Sequence, residues 1–279
     1  MKIVLSQDIT SAIKKMCMEI CVCLDQKALA KLKHAREIED SQATAFALDI
    51  MIKNADIAKK TSSPLCQDTG MVVVFVDMGQ DVRIKGGYIE DAINQGVKEA
   101  YQEGYFRKSV LDPISRENTW DNTPAVIHYN IIKGSEFCLS VMAKGFGSEN
   151  MSRLFMLTPS EGIEGIKKAV IETIKDANAK PCPPVVVGVG VGGTMEKAAL
   201  LSKKALFRGL DSKNEDPILN DLEEQLLEEI NLLGIGAQGL GGKTTALKVF
   251  IEKYPTHIAG LPVAVTVQCH AVRHNSITL

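Results

Sequence analysis

Residues 183–193, Pro-Pro-Val-Val-Val-Gly-Val-Gly-Val-Gly-Gly, constrain this chain more than any other stretch. A β-branched run of this kind has strand character. Helical spacing begins at 194–206 with no room for a loop. The glycines therefore read as a tight strand-to-helix turn that needs small residues. Gly188, Gly190 and Gly193 also match the G-x-G-x-x-G pattern of dinucleotide sites, with a strand before and a helix after. The rest of that unit fails. It needs a second strand ending in an acidic residue about 20 positions on. Here the chain runs into the polar, loop-like stretch 203–217, where Asp211 has no strand before it.

The remaining chain alternates helical and strand-like stretches without strict order. Residues 7–60 repeat apolar side chains at three- and four-residue spacing, through Ile9, Ile13, Met16 and Ile20 and again through Ala45, Leu48 and Ile52. Ser62-Ser63-Pro64 ends this helical region. Strand character follows at 71–78, helical spacing at 87–104, and a strand pair at 124–132 and 137–143 around Gly134-Ser135. An amphipathic helix is predicted at 160–178, with Ser160 as its N-cap. After the 207–217 linker come a helix at 218–233 and strands at 245–251 and 262–268. No internal repeat is visible. The pattern predicts an α+β fold: mixed, largely antiparallel sheets flanked by helices, one domain over 1–279 with the helical region 7–60 packed on it.

A second glycine motif, Ala237–Thr244 (AQGLGGKT), fits only a relaxed P-loop. A P-loop lies between a strand and a helix, so that the helix N-terminus faces the phosphates. Here a helix precedes it and a strand-like stretch follows, which argues against a nucleotide site.

The charge balance excludes other classes. With 32 Lys and Arg against 34 Asp and Glu, no basic excess points to nucleic acid or an anionic membrane surface. No apolar run approaches the roughly 20 residues of a spanning helix. The N-terminal stretch turns polar after Leu5, so no secretory signal is predicted and a cytoplasmic location is expected. Hydrophobic residues make up 45% of the chain, enough for a sizeable core.

Seven cysteines remain to be assigned. In a reducing compartment such cysteines are buried thiols, metal ligands or catalytic groups more often than disulfides. Cys17, Cys21 and Cys23 lie inside the first helical pattern, a spacing that converges poorly on one metal. Cys66, Cys182 and Cys269 instead sit in turn-like settings: PLCQDTG, KPCPPV and VQCHAVRH. Thiolates on turns can converge from distant segments, and Pro183 and Pro184 stiffen the chain beside Cys182. Three separate buried thiols fit the spacing equally well.

Six ordered motifs then carry a resemblance: PLCQDTG (64–70), KGFGSEN (144–150), TPSEG (158–162), CPPVVVGVGVGGT (182–194), LGIGAQGLGGKTT (233–245) and HIAGLPVAVTVQCHAVRH (257–274). Together they resemble the α half of class I iron–sulfur fumarases, and the related tartrate dehydratases share most of this framework. KGFGSEN is closer to the fumarase form.

The resemblance implies a [4Fe–4S] cluster on Cys66, Cys182 and Cys269. Three thiolates for four irons leave one iron open, which suits Lewis-acid chemistry better than electron transfer. It also implies reversible hydration of fumarate to malate, a tricarboxylic acid cycle step, or dehydration of tartrate or another hydroxydiacid. Gln67 and Asp68 match the substrate-contacting pair. Asp68 and His257 match the proton-transfer groups. Arg107 matches the arginine that grips a carboxylate through its planar fork. Gly145 and Gly147 match glycines presenting backbone N–H groups. By themselves, Asp68 reads as a turn-capping residue, His257 as a solvent-facing histidine, Arg107 as a surface arginine, and the two glycines as a tight turn. In this family the catalytic base and further cations come from a β half. A separate β subunit, and homo-association of α–β units, are therefore expected partners. An iron–sulfur scaffold subunit without turnover is the alternative of a different class.

Overall fold

The computed structural model describes residues 2–279. In chain order the elements are β1 (Lys2–Leu5), α1 (Ser6–Val22), α2 (Gln26–Ile38), α3 (Gln42–Thr61), β2 (Met71–Gly79), β3 (Val82–Lys85), α4 (Ile89–Glu103), β4 (Val126–Ile132), β5 (Phe137–Lys144) and α5 (Phe146–Glu149). There follow β6 (Arg153–Leu157), α6 (Gly162–Ala177), β7 (Val185–Gly192), α7 (Met195–Ala205), α8 (Pro217–Asn231), β8 (Ala246–Tyr254), β9 (Leu261–Gln268) and β10 (His274–Thr278). The fold is α+β, as expected. Of the seven strand pairings among the described residues, four are antiparallel.

The chain forms two compact units. The first comprises residues 2–24, Ala55–Phe146 and Arg273–Leu279. Its four-stranded sheet has the order β10-β5-β2-β4. The apolar run 72–76 is buried throughout, as befits a central strand. Val72, Val74 and Val76 pack with Leu139 and Val141 of β5 against Ile9, Ile13, Met16, Cys17 and Ile20 of α1 and Ile93 and Val97 of α4. Each such side chain contributes roughly 1.5–3 kcal/mol by leaving water. The 3.6-residue period of α1 thus fixes which face turns inward.

The expected strand pair at 124–132 and 137–143 exists as two strands but not as a hairpin. β2 lies between them, parallel to β4 with Val73 opposite Val126, and antiparallel to β5 with Met71 opposite Lys144. A short connection suggests a hairpin, but a strongly apolar central strand has two edges to satisfy and takes both neighbours.

The second unit comprises Asp25–Asn54 and Gly147–Val272. Its sheet has the order β6-β9-β7-β8, with β7 parallel to β8 and antiparallel to β9. Ile166, Val170 and Ile174 of α6 and Leu222, Leu226 and Ile230 of α8 cover Val185, Val187 and Val189 together with Val263, Val265 and Val267. On the other residues of β7 the glycines admit α7. A Cβ at Gly188 would stand 2.1 Å from the Ser202 carbonyl oxygen, and one at Gly190 2.0 Å from that of Ala198. Gly192 and Gly193 supply the positive-φ turn. The G-x-G-x-x-G spacing therefore serves helix-on-strand packing as well as the turn. The helix predicted at 160–178 starts with a short 3-10 turn, and its capping box joins Thr158 and Glu161 rather than resting on Ser160.

The two sheets share one topology. Each has a central strand, a parallel neighbour reached through helices, and an antiparallel neighbour that follows in sequence. The fourth strand is exchanged. The chain leaving β5 supplies β6 to the second sheet, and the chain leaving β9 supplies β10 to the first. This duplication has no counterpart in the residue pattern, which is why no repeat was visible.

Candidate active site

In the first unit the candidate residues gather at one sheet end, where PLCQDTG enters β2 and β5 leaves. This loop is pinned at successive backbone groups. The Leu65 N–H donates to the Cys21 carbonyl at 2.8 Å. The Asp68 carbonyl accepts from Arg273 Nη1 at 2.6 Å. The Thr69 carbonyl accepts from the Tyr101 hydroxyl at 2.7 Å, and the Gly70 carbonyl from Tyr101 and Asn122 Nδ2 at 3.1 and 3.2 Å. Burial pushes the Tyr101 phenol well above its ordinary range, so it remains a donor. Gly70 has φ +83, and a Cβ there would press within 2.9 Å of the Ala143–Lys144 backbone, so only glycine suits this entry to the strand.

Asp68 is fixed at both oxygens. Oδ1 accepts from the Gly70 N–H at 3.0 Å and Oδ2 from the Phe146 N–H at 2.8 Å. Gly145 touches the same place: a Cβ there would lie 3.0 Å from Arg273 Nη2 and 3.1 Å from Asp68 Oδ2. Arg107 is tied in through its backbone, its carbonyl accepting from Thr69 Oγ1 at 2.9 Å. Nearby, the buried Asn122 accepts the Ser109 N–H at 2.8 Å. The Arg107 side chain is exposed, as are those of Cys66 and Gln67. Cys66, Gln67, Asp68, Arg107 and Gly145 are thus brought to one end of one sheet. Two buried cations missed in the sequence belong to the same unit: Lys144, ending β5, and Arg273, just before β10, each 1% exposed. A charged residue closing a buried apolar run was their only signal.

In the second unit Cys182 precedes β7 and Cys269 follows β9, and the Val186–Gln268 pairing sets these at the same sheet end. Cys182 has φ +55, and its carbonyl faces His270 Nδ1 at 3.0 Å. A carbonyl only accepts, so the ring proton of this contact sits on Nδ1. The Pro183 carbonyl accepts from Gln238. Gln268 is 1% exposed, and neither of its side-chain amide atoms has a hydrogen-bond partner. Gly147 falls in this unit, where a Cβ would lie 3.5 Å from the Lys180 carbonyl oxygen.

His257 is placed elsewhere. It lies in the loop before β9, while Cys269 follows that strand. β9 is eight residues long, so at about 3.3 Å per step its two ends are roughly 23 Å apart. The His257 Nδ1 accepts the Ala259 N–H at 3.2 Å.

The P-loop-like stretch holds an anion of the protein's own. Glu39, 8% exposed, accepts the Lys243 N–H at 2.9 Å and the Ser41 N–H at 3.0 Å. A Cβ at Gly242 would stand 2.4 Å from that carboxylate.

The cysteines differ in burial, with Cys23 and Cys138 half-buried. Cys17 and Cys21 are buried in α1, and burial holds both thiols up, that of Cys21 to about 11. Cys66 and Cys182 are exposed and Cys269 half-buried, none of them in a disulfide. Among the described residues, no three His, Cys, Asp or Glu side chains form a ready metal-holding group. Nor is any helix long and apolar enough to cross a membrane.

Comparison with known proteins places the chain in a family. The family model described as fumarate hydratase (Fumerase) matches residues 10–278. A putative L(+)-tartrate dehydratase subunit alpha of Methanocaldococcus jannaschii is 43% identical over 271 residues, 95% of each chain. The L(+)-tartrate dehydratase subunits alpha of Escherichia coli K12 and of Shigella sonnei are each 34% identical over 251 residues, 88% of this chain and 82% of theirs. The class so defined is that of the hydro-lyases. Within it, this chain belongs to the fumarate hydratase (Fumerase) family.

Proposed function

We propose that the chain is the α subunit of a hydro-lyase that reversibly hydrates fumarate to malate, completed by a separate β subunit. One observation carries the reading. Asp68, Gly145 and the Arg107 backbone lie at one end of the first sheet, and Cys182 and Cys269 occupy the topologically matching end of the second.

A [4Fe–4S] cluster on Cys66, Cys182 and Cys269 fits the donor chemistry. These are cysteines on loops outside any disulfide, and thiolates are the soft ligands such clusters take. The orphaned, buried amide of Gln268 beside Cys269 marks a partner still to be supplied at that end. When bound, the cluster supplies a Lewis-acidic iron for a hydroxyl and a carboxylate oxygen. The chain's own groups do the rest of the α-side work. Arg107 offers its fork to a substrate carboxylate. Gly145 and Gly147 admit close backbone approach, and Gln67 contacts the substrate beside Asp68. Asp68 moves a proton at a carboxylate oriented through both oxygens. His257 is the second proton-transfer group of this reading, although within its own unit it lies at the far end of β9 from Cys269.

The β subunit supplies the base that takes the C3 proton. Support for a partner comes from the loop that carries Arg107, where Tyr105, Ile114 and Trp120 are 80% exposed or more. Large apolar side chains of this kind anchor interfaces.

Tartrate is the second reading, favoured by the names of the relatives. With the β partner present, kcat/KM for fumarate hydration should exceed that for L(+)-tartrate dehydration. The reverse order in a side-by-side assay would assign the chain to tartrate.

A further inference from the structure

We infer that Gln238, in the glycine loop between α8 and β8, is a positioning residue for Cys182. This rests on the reading that Cys182 holds the cluster. The Cys182 backbone lies in the left-handed region that side-chain-bearing residues seldom adopt, so its turn must be held from outside. The Cys182 N–H donates to the Ala179 carbonyl at 3.1 Å on one side of the turn, and because Pro183 and Pro184 have no N–H to offer, the turn itself is otherwise held through its carbonyls. His270 takes the Cys182 carbonyl. Gln238 takes the Pro183 carbonyl twice, through its backbone N–H at 2.8 Å and its side-chain Nε2 at 3.2 Å.

Gln238 is itself held in the left-handed region, at φ +54, directly before Gly239, which adopts it freely. The surrounding loop enforces that conformation. Gly239 lies so close to the stretch before the cysteine turn that a Cβ there would stand 2.3 Å from Ala179 Cβ. Further along, the Gly241 carbonyl accepts from Thr44 Oγ1 at 2.7 Å, and Glu39 latches the Lys243 N–H. A glycine at 238 would remove the strain at no steric cost. What glutamine adds is the Nε2 donor, directed at the residue after the cysteine. Groups that orient a metal ligand in this way usually change metal retention when altered.

The test compares the wild-type chain with Q238G and Q238E. Q238G relaxes the backbone and loses the donor; Q238E keeps the shape and loses the donor. Each is loaded with iron and sulfide without oxygen. Iron per chain and the half-life of the visible absorption under an iron chelator are then measured at a temperature where circular dichroism finds all three folded. Both variants should lose iron about 10- to 100-fold faster than wild type, Q238G despite its relaxed backbone. Equal half-lives, with wild-type iron dependent on Cys182, would overturn the inference while leaving the cluster reading intact. A wild-type chain that takes up no cluster, or a C182S chain that keeps it, would overturn the cluster reading and the inference with it.

Discussion

Replacing Asp68 by Asn should lower kcat of the assembled enzyme roughly 10²- to 10⁴-fold, the usual effect of removing a positioned proton-transfer group. Asparagine keeps the size of the side chain but not its chemistry. Both Asp68 oxygens accept a backbone N–H, from Gly70 and from Phe146. An amide offers only one acceptor, so its NH₂ must face one of those donors. Steady-state fumarate hydration, compared at equal iron content, measures the effect. A D68N enzyme within about tenfold of wild type would remove Asp68 from proton transfer.

Replacing Cys66, Cys182 or Cys269 by Ser should each abolish cluster retention. Replacing Cys17, Cys21, Cys23 or Cys138 by Ala should leave iron and sulfide content unchanged in folded protein. The contrast is electrostatic. Burial in α1 keeps the Cys17 and Cys21 thiols protonated, whereas only the thiolate is a ligand. Iron and acid-labile sulfide determination reads the result directly. A cluster surviving C66S or C269S would refute the ligand set.

Much of the first layer of this molecule was legible in its residues. The apolar runs at 71–78 and 183–193 became the central strands, and the helical spacing at 87–104 and 218–233 became α4 and α8. Pairing was less legible. Short edge strands such as β1, β6 and β10 carry too few residues to show a period, and their partners lie far away in sequence. The N-terminal helical region divides into three helices because Asp25 caps the second and the Glu39–Ser41 connection precedes the third. Their inward faces then go to different cores, which periodicity alone does not distinguish.

The candidate site was legible mainly through motif resemblance. Adjacent residues such as Cys66, Gln67 and Asp68 stayed together because one pinned loop carries them. His257 and Cys269 are separated by a straight strand, and only the strand's length reveals that they point to opposite sheet ends. Glu39, Lys144 and Arg273 are charges whose burial depends on tertiary partners, so local sequence marks them weakly or not at all. The same holds for Gln238, read at first only as a residue inside a false P-loop.

Whether this chain completes a site by itself is the central question. In the function proposed above, the chain offers Asp68, Arg107 and the cluster ligands, and a β subunit supplies the base. The deciding measurement is fumarate hydration by the reconstituted chain alone and with that subunit added. Turnover by the chain alone should be lower by roughly 10²-fold or more, the contribution of a missing general base. Turnover within about tenfold of the complex would contradict the division of the site between two subunits.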